Sequence, residues 1–166
     1  MPNASLPRRL AAALYELLLL TALVFIAGFV LLPLISPARV GDPLAVPSLP
    51  ARTALFCALF AIVAVYCVFG WTGGRRTLPQ KTWHLRLVDA AGSPLDYRRA
   101  FVRYLAGWIA PALALVVFVV LRPHRLGGVA VVPLALNFLA AFVDPERLFL
   151  HDRVADTRLV DDRMRA

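Results

Sequence analysis

The sequence predicts an all-α membrane protein of four transmembrane helices with both termini in the cytoplasm. Three observations carry that prediction. Of 166 residues, 60% are hydrophobic, and they fall in long uncharged blocks, where a helix of a soluble protein would space them along one face. Four of these blocks approach the length of about 20 residues that a bilayer crossing needs. The 18 Lys and Arg residues flank alternate ends of the blocks, the pattern that fixes orientation in a membrane.

The first block, Leu10–Ile35, follows the basic pair Arg8-Arg9. It is longer than the apolar core of a signal peptide, about 7–15 residues, and no small-residue cleavage site follows it, so an uncleaved span is expected. The connector Ser36–Arg52 contains Pro37, Pro43, Pro47 and Pro50. Proline this dense opposes helix and central strand, so an extended segment carrying no site is expected. The second span is Thr53–Trp71. Its two cysteines, Cys57 and Cys67, are separated by about 15 Å of helical rise, too far for a disulfide, and read as packing residues.

The loop 72–99 is basic. Trp83 to Val88 alternates apolar with polar residues, a strand signal, and Asp89 to Pro94 has turn composition. A small hairpin on the membrane surface satisfies this pattern, and so does an amphipathic segment ordered against lipid. The third span is Ala100–Leu121, with Arg103 near its start, and the fourth is Leu126–Val143, which contains Asn137. Pro111 and Pro133 are expected to kink or open their helices. In the tail, Asp144 before Pro145 reads as a helix start, giving an amphipathic helix along the inner interface that carries Asp152. Trp71, Trp83 and Trp108 read as anchors at the membrane boundaries. The membrane domain thus covers residues 8–160, between short tails at 1–7 and 161–166.

Charge sets the topology. With four spans, Arg39, Arg52, Arg122 and Arg125 fall on one side and the other fourteen of the 18 basic residues on the opposite side. The positive-inside rule puts that richer side, with both termini and the loop 72–99, in the cytoplasm. If the fourth block did not cross, the tail would change sides and the bias would vanish. The net charge of +8 therefore points to anionic lipid head groups as partners. Nucleic acid is not expected, because there is no separate basic domain.

Glu16 stands inside the first apolar block. Charged residues at the centre of a membrane helix cost about 2.5–3.5 kcal/mol on insertion scales, so they are rare and tend to be paired or functional. Arg9 and Glu16 are two turns apart on one helix face, about 10.5 Å along the axis. An Arg9–Glu16 pair, with Asp152 as a third member, is one reading; a polar path or helix contact using Glu16 and Asn137 is the other. No enzyme is expected. His151-Asp152 are neighbours on a helix and point apart, and Gly73-Gly74 is too little for a phosphate cradle. His84 stands alone among ligand types, so neither metal nor cofactor is expected.

Three segments together resemble the RDD family of small bacterial membrane proteins, named for one arginine and two aspartates. They are Arg8-Arg9-Leu10-Ala11-Ala12-Ala13-Leu14-Tyr15-Glu16; Thr77-Leu78 through Leu85-Arg86-Leu87-Val88-Asp89, Gly92 and Pro94-Leu95, leading to Arg98-Arg99-Ala100-Phe101-Val102-Arg103; and Leu150-His151-Asp152-Arg153 with Thr157. The resemblance runs from about Arg8 to Val160. It implies that the family's arginine is Arg9 and its second aspartate Asp152, while its first aspartate falls on Glu16, a departure that keeps the charge and adds a methylene. Pro79 and His84 stand where many members have glycine.

The family has no firmly assigned activity, so the resemblance implies architecture first: a bacterial inner-membrane protein. Two functions remain open. One is transport of an ion or small solute by a homo-oligomer or with a membrane partner, using Glu16. The other is a non-catalytic accessory or scaffold subunit that contacts anionic lipid or a partner protein.

Overall fold

A computed structural model of the chain describes residues 3–35 and 46–163. Helix α1 runs Leu6–Ile35 and α2 runs Leu49–Trp71. Most of the expected connector Ser36–Arg52 lies outside the described residues, but its end does not remain extended. Ser48 caps α2, its side chain accepting from the Ala51 amide, and Pro50 occupies the first turn. Proline costs nothing there, because its missing N–H would have had no partner within the helix.

After α2 come the short helix α3 (Leu78–Thr82), strand β1 (Leu85–Asp89), and helices α4 (Tyr97–Gly107) and α5 (Ile109–Leu121). The break between α4 and α5 at Trp108 sits three residues before Pro111, whose ring excludes the carbonyl of Gly107 from a regular turn. The Trp108 amide turns instead to Leu105. Two 3-10 turns, Arg122–His124 and Gly127–Ala130, lead into α6 (Val131–Val143). Pro133 is accommodated near the start of α6, so the apolar segment opens with a 3-10 turn rather than kinking midway. The chain closes with α7 (Leu150–Val154) and strand β2 (Thr157–Asp161).

Three helices are long and apolar enough to cross a membrane: Leu6–Ile35, Leu49–Trp71 and Tyr97–His124; the segment Gly127–Val143 is a shorter apolar helix. Helix α1 packs on α2, α2 on α4, and α5 on α6. Their outer faces are strongly apolar and exposed, as at Phe25, Phe29, Val65 and Phe142.

The all-α expectation needs correction at one end of the helices. The strand at Trp83–Val88 forms, and the turn Asp89–Pro94 folds back on it, but only for a single bridge, Val88 opposite Pro94. The strand's main partner is the tail: β1 and β2 are antiparallel, with Leu85 opposite Asp161 and Leu87 opposite Leu159. The tail is therefore a five-residue helix followed by a strand, not one amphipathic helix. Asn3 bridges to Val160 on the other edge of β2, and the Ala4 amide donates to Leu159 at 2.9 Å. Two strands alone are marginal in water. This pair is held because Leu85, Leu87 and Leu159 pack with Ala12, Cys67, Trp71, Ala100 and Tyr104 in one core. The start of the chain, the loop after α2 and the tail thus join in a single layer.

Asp144-Pro145 does not start a helix. Asp144 follows the end of α6, and its Oδ1 accepts from the amides of Glu146 (2.8 Å) and Leu148 (3.3 Å), an aspartate turn. Trp71 is no surface anchor, since it is buried beneath Arg103. Trp108 is half-buried, tilted against Phe60 at 5.2 Å and edge-on to Tyr104 at 6.2 Å. Cys67 is buried in the core, Cys57 is exposed, and neither forms a disulfide.

Candidate functional site

Two polar groups are built into the apolar body, and they are separate. The first joins α4, α6 and α7. Arg103 of α4 donates to Asp152 of α7 through Nε at 2.8 Å, and its Nη2 lies 2.8 Å from the same Oδ1. Asp152 is fully buried and Arg103 is 6% exposed. The guanidinium lies 4.3 Å above the Trp71 ring, whose negative face attracts a desolvated cation. Thr157 Oγ1 donates to the same carboxylate at 3.3 Å.

His151 completes this group. Arg103 Nη2 is 3.0 Å from His151 Nε2, and arginine can only donate. Nε2 must therefore accept, which puts the proton on Nδ1, 2.8 Å from Asn137 Oδ1. Burial pushes the His151 imidazole down to about 4, against the opposing pull of Asp152. Burial alone would push the Asp152 carboxyl up. Arg103, then His151 and Arg9, outweigh it and hold the carboxyl below the usual carboxylate range. The result is a neutral histidine beside a charged pair, with Asn137 tying α6 to α7.

Arg9 borders this group without joining its hydrogen bonds. It is 2% exposed, donates from Nη2 to the Arg147 carbonyl at 2.6 Å, and lies 5.2 Å from the Phe149 ring centre. Arg147 adopts a left-handed conformation (φ 55°) in the aspartate turn. Arg9 Nε and Nη1 and Asp152 Oδ2 are all buried without a hydrogen-bond partner. Arg9 thus acts on Asp152 through charge rather than contact.

The second group is Glu16. Among the described residues no cation lies within ion-pair distance of it. The expected Arg9–Glu16 pair is absent, because Arg9 is engaged two turns away with Arg147 and Phe149. Glu16 Oε2 accepts from Thr77 Oγ1 at 2.7 Å, while Oε1 is buried without a partner. The Tyr66 hydroxyl is buried facing the same carboxylate, placed to donate to it. Thr77 is held by its own local structure, its amide donating to the Gln80 side chain at 3.1 Å. Gly70 makes room for it: a Cβ there would meet Thr77 Cγ2 at 2.7 Å. Tyr66, Gly70 and Thr77 line a cleft of about 560 Å³ whose wall is Val65 and Phe69 and whose rim is Arg75, Arg76 and Lys81.

Of the residues singled out from the sequence, Asp152 and Asn137 come together around His151, Arg9 lies beside them, and Glu16 stands apart. Arg103, Thr77 and Tyr66 were missed. Arg103 carried a signal, being a charge inside an apolar block, and Thr77 opens a segment that carries the family resemblance; Tyr66 carried none. A last ionic set closes the layer from outside: Arg8 pairs with Asp161 and donates to the Trp83 carbonyl, and Arg76 and Arg86 both pair with Asp162. Among the described residues no three His, Cys, Asp or Glu side chains gather in a set that could hold a metal ion.

Compared with known proteins, residues 3–156 match the family model described as RDD family. No curated protein and no solved structure matched the chain.

Proposed function

The chain belongs to the RDD family, and from that premise we propose that it is a non-enzymatic membrane transport protein in which Glu16 is the polar station for an ion, a proton or a small solute. The observation that carries this reading is that Glu16 is held by neutral hydroxyls, with no cation within ion-pair distance among the described residues. Its structural explanation, a pair with Arg9, has lost its partner. What remains is a carboxylate that faces only the hydroxyls of Thr77 and Tyr66, two residues that also line the neighbouring cleft. An ionisable residue within a membrane helix is by default a functional candidate, and Glu16 stands near the inner end of its helix, against the loop that carries Thr77.

The reading takes four crossings of a bacterial inner membrane, with both termini in the cytoplasm. Two things support it. The start of the chain, the loop 72–99 and the tail share one layer, so an even number of crossings must separate each from the next. That requires Gly127–Val143 to return across the bilayer although it is short. The same layer carries most of the basic residues. One copy offers few polar groups to a path, so the reading also takes assembly with a second copy or a membrane partner.

A second reading, an accessory or scaffold subunit, is favoured by how much of the buried polar chemistry ties the layer together: Arg103–Asp152 and Arg8–Asp161 serve architecture. Flux in proteoliposomes separates the two. Wild-type protein should move protons or monovalent cations down an imposed gradient faster than empty liposomes, and Glu16→Gln should not. Flux equal in both preparations favours the accessory reading.

A further inference from the structure

The lining of the cleft combines two chemistries, basic side chains and an apolar face of α2. Lys81 is exposed on the rim beside Arg75 and Arg76. Below them, Val65 and Phe69 are 69% and 59% exposed, and at four-residue spacing they continue through the exposed Ala61 and Cys57 down α2. Residues at that spacing form one row along a helix. The row is about 18 Å long by helical rise, close to one leaflet's share of a hydrocarbon core about 30 Å thick.

From this continuity of basic rim and apolar track we infer that the cleft holds one anionic phospholipid, its phosphate at Lys81 and Arg76 and an acyl chain along Phe69, Val65 and Ala61. Arg75 shapes the rim rather than reading the head group. Its Nε donates to the Phe69 carbonyl at 2.7 Å, its Nη2 to Thr72 at 2.6 Å, and it lies 4.0 Å from the Phe69 ring centre. Two acids bear on the site. Glu16 is shielded behind Thr77, whose hydroxyl donates to it. Asp162 of the tail already pairs with Arg76, so it competes with a lipid phosphate for the same cation. The lipid would occupy the cleft beside Glu16, but Lys81 and Asp162 do not contact Glu16, so lipid retention and Glu16-dependent flux fail separately.

Native mass spectrometry of the full chain tests it, with phosphatidylglycerol and phosphatidylcholine of matched chains. Phosphatidylglycerol should be retained and phosphatidylcholine not. Lys81→Gln should weaken retention about fivefold, equivalent to about 1 kcal/mol for one basic residue at an anionic surface. Lys81→Arg should preserve retention and Asp162→Asn should strengthen it. Lys81 is exposed, so its variants test the site even if Asp162→Asn loosens the tail. Equal retention of the two lipids, or no effect of Lys81→Gln, overturns the inference. Displacement by glycerol phosphate alone overturns it too, since the cleft would then be a free-anion site. So does a dimer that excludes lipid, which would make a second copy the occupant.

Discussion

Arg103 and Asp152, 49 residues apart in sequence, meet at 2.8 Å inside the protein and bind α4 to α7. Removing one partner leaves the other charged and buried, which costs about 3–5 kcal/mol. Arg103→Ala and Asp152→Ala should each lower the thermal midpoint sharply in detergent. The double variant should be less damaged than the two losses combined. Additive losses would mean that the pair is not coupled.

Acid should destabilise the protein through His151. Its folded value lies near 4 against an ordinary 6.5, so between these values the unfolded chain binds a proton that the folded one refuses. Stability is then unaffected above about pH 6.5, falls as pH drops towards 4, and loses nothing more from this group below that. Asp152, held below its ordinary 3.8, adds a loss at lower pH still, as its carboxylate is protonated. Thermal midpoints measured from pH 7.5 to 4 should decline in the wild type and stay flatter in His151→Gln.

Gly70 should be needed for the placement of Thr77. Gly70→Ala drives a Cβ to 2.7 Å from Thr77 Cγ2, an overpacking cost of about 1–3 kcal/mol. Thr77→Ser removes that methyl and keeps the hydroxyl that Glu16 accepts from. Adding it to Gly70→Ala should restore the thermal midpoint. Failure of the rescue would show that another contact sets the cost.

Deleting residues 157–166 should free β1. Leu85 and Leu87 lose the strand opposite them, and the Arg8, Arg76 and Arg86 side chains lose Asp161 and Asp162. Hydrogen exchange at Leu85–Asp89 should rise to the rate of an open loop, while α1 and α2 remain protected. Unchanged protection of β1 would mean that the helices alone hold it.

The apolar blocks were legible because length and lack of charge suffice to define them; the helix limits shifted by only a few residues. The small sheet was half legible. Trp83–Val88 showed its alternation, but its partner lies in the tail, about 70 residues on, and loop composition cannot report so distant a pairing. A signal was there: β1 and β2 share the string Arg-Leu-Val-Asp, at Arg86–Asp89 and Arg158–Asp161. Seven-residue spacing suggested an Arg9–Glu16 pair, yet two turns of helix separate them by about 10.5 Å, and the two side chains meet different elements. Lateral neighbours supplied the partners instead, Thr77 for Glu16 and the Arg147 carbonyl for Arg9. Local spacing orders residues along a helix but does not say which other element lies beside each one.

We propose that Glu16 serves function while Arg103–Asp152 serves the fold. Cation or proton flux per folded molecule in proteoliposomes of Glu16→Gln tests it most directly, with the thermal midpoint taken on the same preparation. The midpoint should stay close to wild type, because no ion pair is lost, and flux should fall to that of empty liposomes. A collapsed midpoint with loss of folded protein, or undiminished flux, would contradict it.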